Sequence, residues 1–195
     1  MIGKKELLEK EAEKIKNCKE CKIGKIGKAV PGEGSPNAKI VFVGEAPGKQ
    51  ESKVGRPFIG RSGKFLRQLI NQIGLREDDV YITSPVKYLP AHRSLGAGGP
   101  KRGTPSKSEI AHGATHLVKQ LEIIKPKIIV LLGNVAYKAL INQTAQINQY
   151  HGKVIKKDHR RYFPTFHPAA AIRFQKIKNL IIQDFSNLKF INHKS

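Results

Sequence analysis

Two rhythms of apolar residues run through the chain. Dense, largely β-branched runs at Ile40-Val41-Phe42-Val43, Val80-Tyr81-Ile82-Thr83, Ile128-Ile129-Val130-Leu131-Leu132 and Tyr162-Phe163-Pro164-Thr165-Phe166 predict strands. Ile128 to Leu132 is apolar at every position and reads as a central parallel strand covered on both faces. Between these runs the spacing lengthens to three and four. Phe65, Leu66, Leu69, Ile70 and Ile73 predict a helix from about Ser62 to Ile73, capped by Ser62 and closed by Gly74. Ile110, Ala114, Leu117, Val118 and Leu121 form the buried stripe of a helix opened by Ser108-Glu109. Further helices are predicted at Lys4 to Asn17, from Asn134 with Ala136 and Leu140, and from about Phe174 to Ile191. Gly24 to Asn37, with Pro31, Gly32, Gly34 and Pro36, reads as loop, and a weak hairpin is expected around His151-Gly152. Strands alternating with helices imply an α/β fold, a three-layer αβα sandwich around a mainly parallel central sheet, and residues 1–195 read as a single domain.

Charge narrows the class of partner. The formal net charge is +21, from 36 Lys+Arg against 15 Asp+Glu. That imbalance exceeds what an ordinary metabolic enzyme carries and points to a polyanion, with nucleic acid as the leading candidate. No apolar run approaches the ~20 residues of a membrane span, and Met1 to Lys16 lacks a secretory apolar core. The expectation is an intracellular, cytoplasmic and nucleoid-associated protein that works as a monomer and does not engage membranes. The two cysteines, Cys18 and Cys21, stand in C-x-x-C spacing, which in an intracellular protein suggests a metal more than a structural disulfide.

The segment from Gly44 to Gly63 joins the first strand to the helix beginning near Ser62, as one long glycine- and proline-rich loop. Loops at the carboxyl ends of parallel strands are where open α/β sheets place ligands, and glycines let backbone amides turn inward. A phosphate-cradling P-loop is excluded. Gly63-Lys64 is followed by Phe65 instead of Ser or Thr, and Phe58 stands where the first glycine belongs. No Gly-x-Gly-x-x-Gly fingerprint is present either.

Gly44-Glu45-Ala46-Pro47-Gly48, followed by Glu51, Gly55-Arg56-Pro57-Phe58-Ile59-Gly60 and Gly63, resembles the first motif of the family 4 uracil-DNA glycosylases. Pro164-Thr165-Phe166-His167-Pro168-Ala169-Ala170-Ala171-Ile172-Arg173 is similar to that family's closing His-Pro motif, and the likeness runs from about Cys18 to the C-terminus. The resemblance implies a monofunctional glycosylase that hydrolyses the N-glycosidic bond of uracil in DNA and so initiates base-excision repair. His167 is then the donor to the departing base, Phe58 the surface on which the everted base stacks, and Gly44, Ala46 and Gly48 the backbone that meets the base. Glu45 and Glu51, the carboxylates of the loop, would position water or stabilise the sugar cation. Arg56, Lys87, Arg93 and Arg173 are candidate phosphate contacts, and Ile172 is the candidate wedge for the vacated stack, although the family's leucine could equally align with Ala171, which is too small to fill it.

Three positions depart from the pattern. Ala46 stands where other branches of the superfamily carry an acid or amide, so hydrolysis would lean on leaving-group stabilisation. Ser84 replaces the asparagine that reads the uracil edge, which leaves open a specificity widened to hypoxanthine or xanthine. The family's 4Fe-4S cluster takes four cysteines; Cys18 and Cys21 match the first pair, while Tyr88 and Gly113 hold the other places. No cofactor is required for the chemistry. The metal question keeps three readings: a vestigial thiol pair, an altered cluster, and a Cys2His2 zinc site completed by His112 and His116, one helical turn apart. A non-catalytic DNA-binding protein that retains the fold is the alternative from another functional class.

Overall fold

The structure is a computed structural model that describes residues 2–23, 25–92, 101–141 and 146–193. In chain order the elements are α1 (Lys4–Asn17), α2 (Lys19–Lys22), β1 (Lys25–Ile26), β2 (Glu33–Gly34), β3 (Ile40–Val43), α3 (Lys49–Val54), α4 (Arg61–Gln72), β4 (Val80–Thr83), β5 (Leu89–His92), β6 (Lys101–Arg102), α5 (Lys107–Ile124), β7 (Ile128–Leu132), α6 (Asn134–Leu140), β8 (Ile155–Lys157), β9 (Arg160–Thr165), α7 (Pro168–Ala171) and α8 (Gln175–His193).

The main sheet has the strand order β2-β4-β3-β7-β9-β8. Its four inner strands are parallel, and the short outer strands β2 and β8 pair antiparallel at the two edges. The chain leaves β3 in one direction to reach β4, then crosses back over β3 to β7. Because such crossovers are right-handed, this reversal sends α4 and α5 to opposite faces. Helix α4 packs with α7 and α8, and α5 packs with α1 and α6, which makes the three expected layers. Each residue of β3, β4 and β7 is buried, as continuous apolar runs between two helical layers require. Phe42 of β3 stacks on Phe185 of α8, with ring centroids 5.9 Å apart and planes 8° from parallel, tying the sheet to its last helix.

Several boundaries differ from the sequence reading. Helix α4 starts at Arg61 with Gly60 as its N-cap, not Ser62. Helix α5 starts at Lys107, because Ser106 and Glu109 form a reciprocal capping box. The 44–63 segment is not one loop: Lys49–Val54 is a short helix, stopped by Gly55 in the left-handed conformation. The 24–37 loop contains β1 and β2, and the turn at His151-Gly152 precedes a hairpin whose own turn is Asp158-His159, both at positive φ. A small second sheet, β1-β5-β6, lies beside the main one.

Lys87 corrects one expectation outright. A candidate phosphate contact by sequence, it is 1% exposed. Its Nζ donates to Pro31 O, Thr83 Oγ1 and Gln120 Oε1 at 3.1, 2.8 and 2.8 Å, three acceptors for the three protons of an ammonium. It therefore fastens the 30s segment and α5 to the end of β4 and is unavailable to DNA. Burial pulls its pKa from 10.5 down to about 7, partly offset by Cys21 and Glu11. Between about pH 7 and 10.5 the unfolded chain then binds more protons than the folded one, so unfolding free energy rises with pH, by at most ~1.4 kcal/mol per unit. Urea titrations of the protein and of Lys87→Met across that window are expected to show a steeper rise in the former, the depressed Cys18 thiol contributing equally to both; parallel curves would place the Lys87 pKa near its unfolded value.

Candidate active site and metal-competent cluster

Parallel strands put their carboxyl ends at one edge, and the loops after β3 and β9 meet there, on either side of β7. They enclose a cavity of about 60 Å³ lined by Ala46, Pro47, Gly48, Glu51, Pro57 and Phe58 from the first loop and His167 and Ala169 from the second. Val30, Ser62 and Ser84 complete it. The ring centroids of Phe58 and His167 lie 5.8 Å apart with planes 28° from parallel. Two motifs more than a hundred residues apart thus converge on one pocket.

Phe58 is held there against its backbone preference. Its φ is +50°, a left-handed conformation that costs a non-glycine residue of order 1–3 kcal/mol. Three groups hold it in that conformation. Arg67 of α4 donates to Phe58 O and Pro57 O, each at 3.2 Å, while its guanidinium is itself fixed by Glu33 and Glu77. Glu51, buried at 8% exposure, accepts the Ile59 and Gly60 amides at 3.0 and 2.8 Å through Oε1. Gly44 supplies the space: a Cβ there would stand 2.6 Å from the Phe58 ring. Gly44 thus serves the pocket as the floor on which the phenyl ring lies.

His167 caps α7, and its Nδ1 accepts the Ala169 amide at 3.1 Å. An accepting Nδ1 assigns the proton of the neutral ring to Nε2, which makes that atom a donor. Gly133, at the turn after β7 with φ +90°, has its missing Cβ position 2.9 Å from His167 Cβ. Only a glycine lets the strand end approach the histidine this closely. Sequence reasoning missed Gly133 and Arg67. The signals available were a glycine ending the fully apolar strand and a lone arginine beside Leu66 in an amphipathic helix.

Ser84 is buried and its Oγ donates to Val86 O at 2.8 Å, so its hydroxyl proton is committed within the loop. Glu45 is half-buried, its carbonyl receives the Val86 amide, and it is not among the residues lining the cavity. The wedge alternatives separate cleanly: Ala171 is buried, whereas Ile172 is 40% exposed beside exposed Arg173 and a 60% exposed Phe174. Arg56 is exposed, but its guanidinium forks onto Glu33 at 2.7 and 3.2 Å. Arg93 lies outside the described residues. A larger cleft of about 650 Å³, carrying Lys16, Lys22, Lys25 and Lys28, shares the Ala29–Pro31 segment with the small cavity.

The matching family model, described as the uracil DNA glycosylase superfamily, covers residues 31–187. The chain belongs to this superfamily. It is 40% identical over 192 residues to a protein of Sulfurisphaera tokodaii named type-4 uracil-DNA glycosylase, covering 93% of this chain and 83% of that one. A protein of the same name from Saccharolobus solfataricus is 38% identical over 193 residues, 94% of this chain and 84% of the relative. A third, from Thermotoga maritima, is 34% identical across 97% of this chain and 96% of its own. The glycosylase-superfamily fold accounts for the place of the cavity, at the strand ends where the topology reverses. Among the described residues, no helix is long and apolar enough to cross a membrane.

On the other side of the segment Ser84–Tyr88 a second cluster forms. One ligand atom each from Cys18, Cys21, His112 and His116 lie within 4.8 Å of one another, close enough to hold a metal. Cys18 Sγ is 3.2 Å from His112 Nε2. Burial pushes the Cys18 thiol up, but hydrogen bonds from His116, the Cys21 amide and His112 outweigh it and bring the pKa down to about 6. Burial and the neighbouring Cys18 push Cys21 up to about 12. The two histidines are thus drawn together with the thiols from far along the chain, His112 lying 94 residues from Cys18.

Proposed function

We propose that this protein is a monofunctional uracil-DNA glycosylase, cleaving the bond between an everted uracil and its deoxyribose by hydrolysis and acting as a single copy on DNA. The observation that carries this reading is the convergence of the Phe58 ring and the His167 imidazole, 5.8 Å apart, on the lining of one cavity at the strand ends. In the reading, the uracil slides over Phe58, and His167 Nε2–H faces the oxygen on which negative charge builds as the bond breaks. Ala46 lines the pocket where an acid would stand, so no carboxylate there activates the water, and the rate depends on relieving charge on the leaving base. The lining contains no lysine, which accords with hydrolysis without a covalent amine intermediate. Glu51 acts by positioning the Phe58 loop. Ile172 enters the gap left in the stack, with Arg173 and Phe174 against the flanking duplex. The lysine-lined cleft offers the phosphate backbone a path away from the pocket, and the net charge of +21 keeps the protein on DNA inside the cell.

Ser84 supports a specific pattern of base choice. With its proton on Val86 O, its oxygen is left as an acceptor, suited to the N3–H of uracil and opposed to the unprotonated N3 of cytosine. On duplexes carrying uracil, hypoxanthine or xanthine, release of uracil alone is the expected outcome. Ser84→Asn adds a donor for the uracil O4 and is expected to raise kcat/KM on uracil about two- to tenfold. Release of no base from any duplex would leave a DNA-binding protein that keeps the fold without the activity.

A further inference from the structure

The metal-competent cluster has a donor set at odds with the cluster cofactor implied by the family resemblance. A four-iron cluster needs four thiolates spread over four irons. Here two are present, and both remaining places are physically closed. Tyr88 packs its buried ring with Cys21, Ile15 and Ala29 and anchors its hydroxyl on Lys16 O at 3.1 Å. At Gly113 a Cβ would stand 1.9 Å from Pro85 O, so α5 lies against the 84–88 segment where no side chain fits. The 4Fe-4S cluster does not fit this site.

We propose that Cys18, Cys21, His112 and His116 bind a single zinc ion, a tetrahedral Cys2His2 centre that staples the N-terminal helices to α5. Three independent features support it. The first is size: with Zn–S of about 2.3 Å and Zn–N of about 2.0–2.1 Å, ligands around one tetrahedral ion sit roughly 3.3–3.8 Å apart. The four donor atoms already lie within 4.8 Å of each other, a separation suited to one ion and too tight for ligands distributed over several irons. The second is donor chemistry, since two thiolates and two imidazoles are a set zinc accepts readily.

The third is the arrangement behind the histidines. His116 Nδ1 meets Glu11 Oε1 at 2.6 Å, and His112 Nδ1 meets Glu20 Oε2 at 3.0 Å. Each carboxylate accepts a hydrogen bond from Nδ1–H and leaves Nε2 as the ligating nitrogen, the relation found behind metal-bound histidines. Glu11 is 5% exposed on an otherwise amphipathic helix, a burial that a surface ion pair would not require. The two supporting carboxylates come from α1 and α2, and both imidazoles from α5. The ion would therefore fix these helices against Ser84–Tyr88, the segment that ends in the base pocket, without taking part in bond cleavage.

The test uses the full chain purified under reducing conditions without affinity-tag metals. Elemental analysis is expected to give one zinc per chain with neither iron nor acid-labile sulfide. Replacing the ion with Co²⁺ is expected to give the intense visible bands of tetrahedral cobalt together with a thiolate-to-cobalt charge-transfer band in the near ultraviolet. Glu11→Gln, which leaves all four ligands in place, is expected to weaken zinc binding about 10- to 100-fold in a chelator competition. Removing the metal is expected to lower Tm by roughly 10 °C. Iron with sulfide, or a chain that takes up neither zinc nor cobalt, overturns the proposal. None of these readouts depends on uracil release, so an inactive but zinc-loaded protein would refute the functional reading alone.

Discussion

Replacing His167 with alanine is expected to slow uracil release about 10²- to 10³-fold while leaving affinity for uracil-containing DNA nearly unchanged. The magnitude is that of removing one preorganised donor to a developing oxyanion. Preorganisation is the point at issue: the Ala169 amide fixes the ring by its Nδ1, and Gly133 permits the close approach that sets its position. The donor therefore needs no reorganisation as charge grows on the base. Single-turnover rates separate this loss from binding, and fluorescence anisotropy at fixed salt measures the affinity. Equal losses in both would mean that His167 holds the loop together instead of serving the transition state. A rate within threefold of the unaltered protein would remove the histidine from the chemistry.

The fold was legible because burial in this architecture is nearly all-or-none. Ile128–Leu132 is apolar at each position and lies at the centre of the sheet with helices on both sides, so sequence pattern and packing carry the same information. Lys4–Asn17 was delimited from its amphipathic spacing for a similar reason. What the pattern could not reveal were contacts made across the chain. Lys87 looks like any basic residue beside a strand end, and only the three oxygens delivered by Pro31, Thr83 and Gln120 explain how its charge is buried. The short helix α3 was hidden because its sequence, Lys49–Val54, has no apolar stripe; it exists to present Glu51 inward. His112 and His116 were visible as a helical pair, but Glu11 and Glu20 behind them were not, because nothing in the spacing of α1 or α2 points toward α5. The pocket motifs were readable as motifs, and their division of labour was not. Glu51 is the clearest instance, a carboxylate in a catalytic loop whose Oε1 is already committed to two amides.

Glu51→Ala is accordingly expected to cost about 2–4 kcal/mol of stability and at least 10²-fold in uracil release. Two buried amides, those of Ile59 and Gly60, would lose their acceptor, at about 1–3 kcal/mol each. The same loss frees the segment that imposes positive φ on Phe58, and a phenylalanine released from that strain leaves the stacking position. Glu51→Gln distinguishes this account from a chemical role. The amide oxygen can take the place of Oε1 and accept both N–H groups, so stability should return to within about 1 kcal/mol and release to within tenfold. Urea unfolding of the two variants measures the first, and single-turnover release measures the second. If Glu51→Gln is fully stable yet as inactive as the alanine variant, the negative charge of Oε2 stabilises the sugar cation directly, and Glu51 belongs to the bond-breaking step. Should both recover together, the carboxylate acts as a clamp, and the pocket owes its chemistry to an aromatic ring held where its backbone resists going.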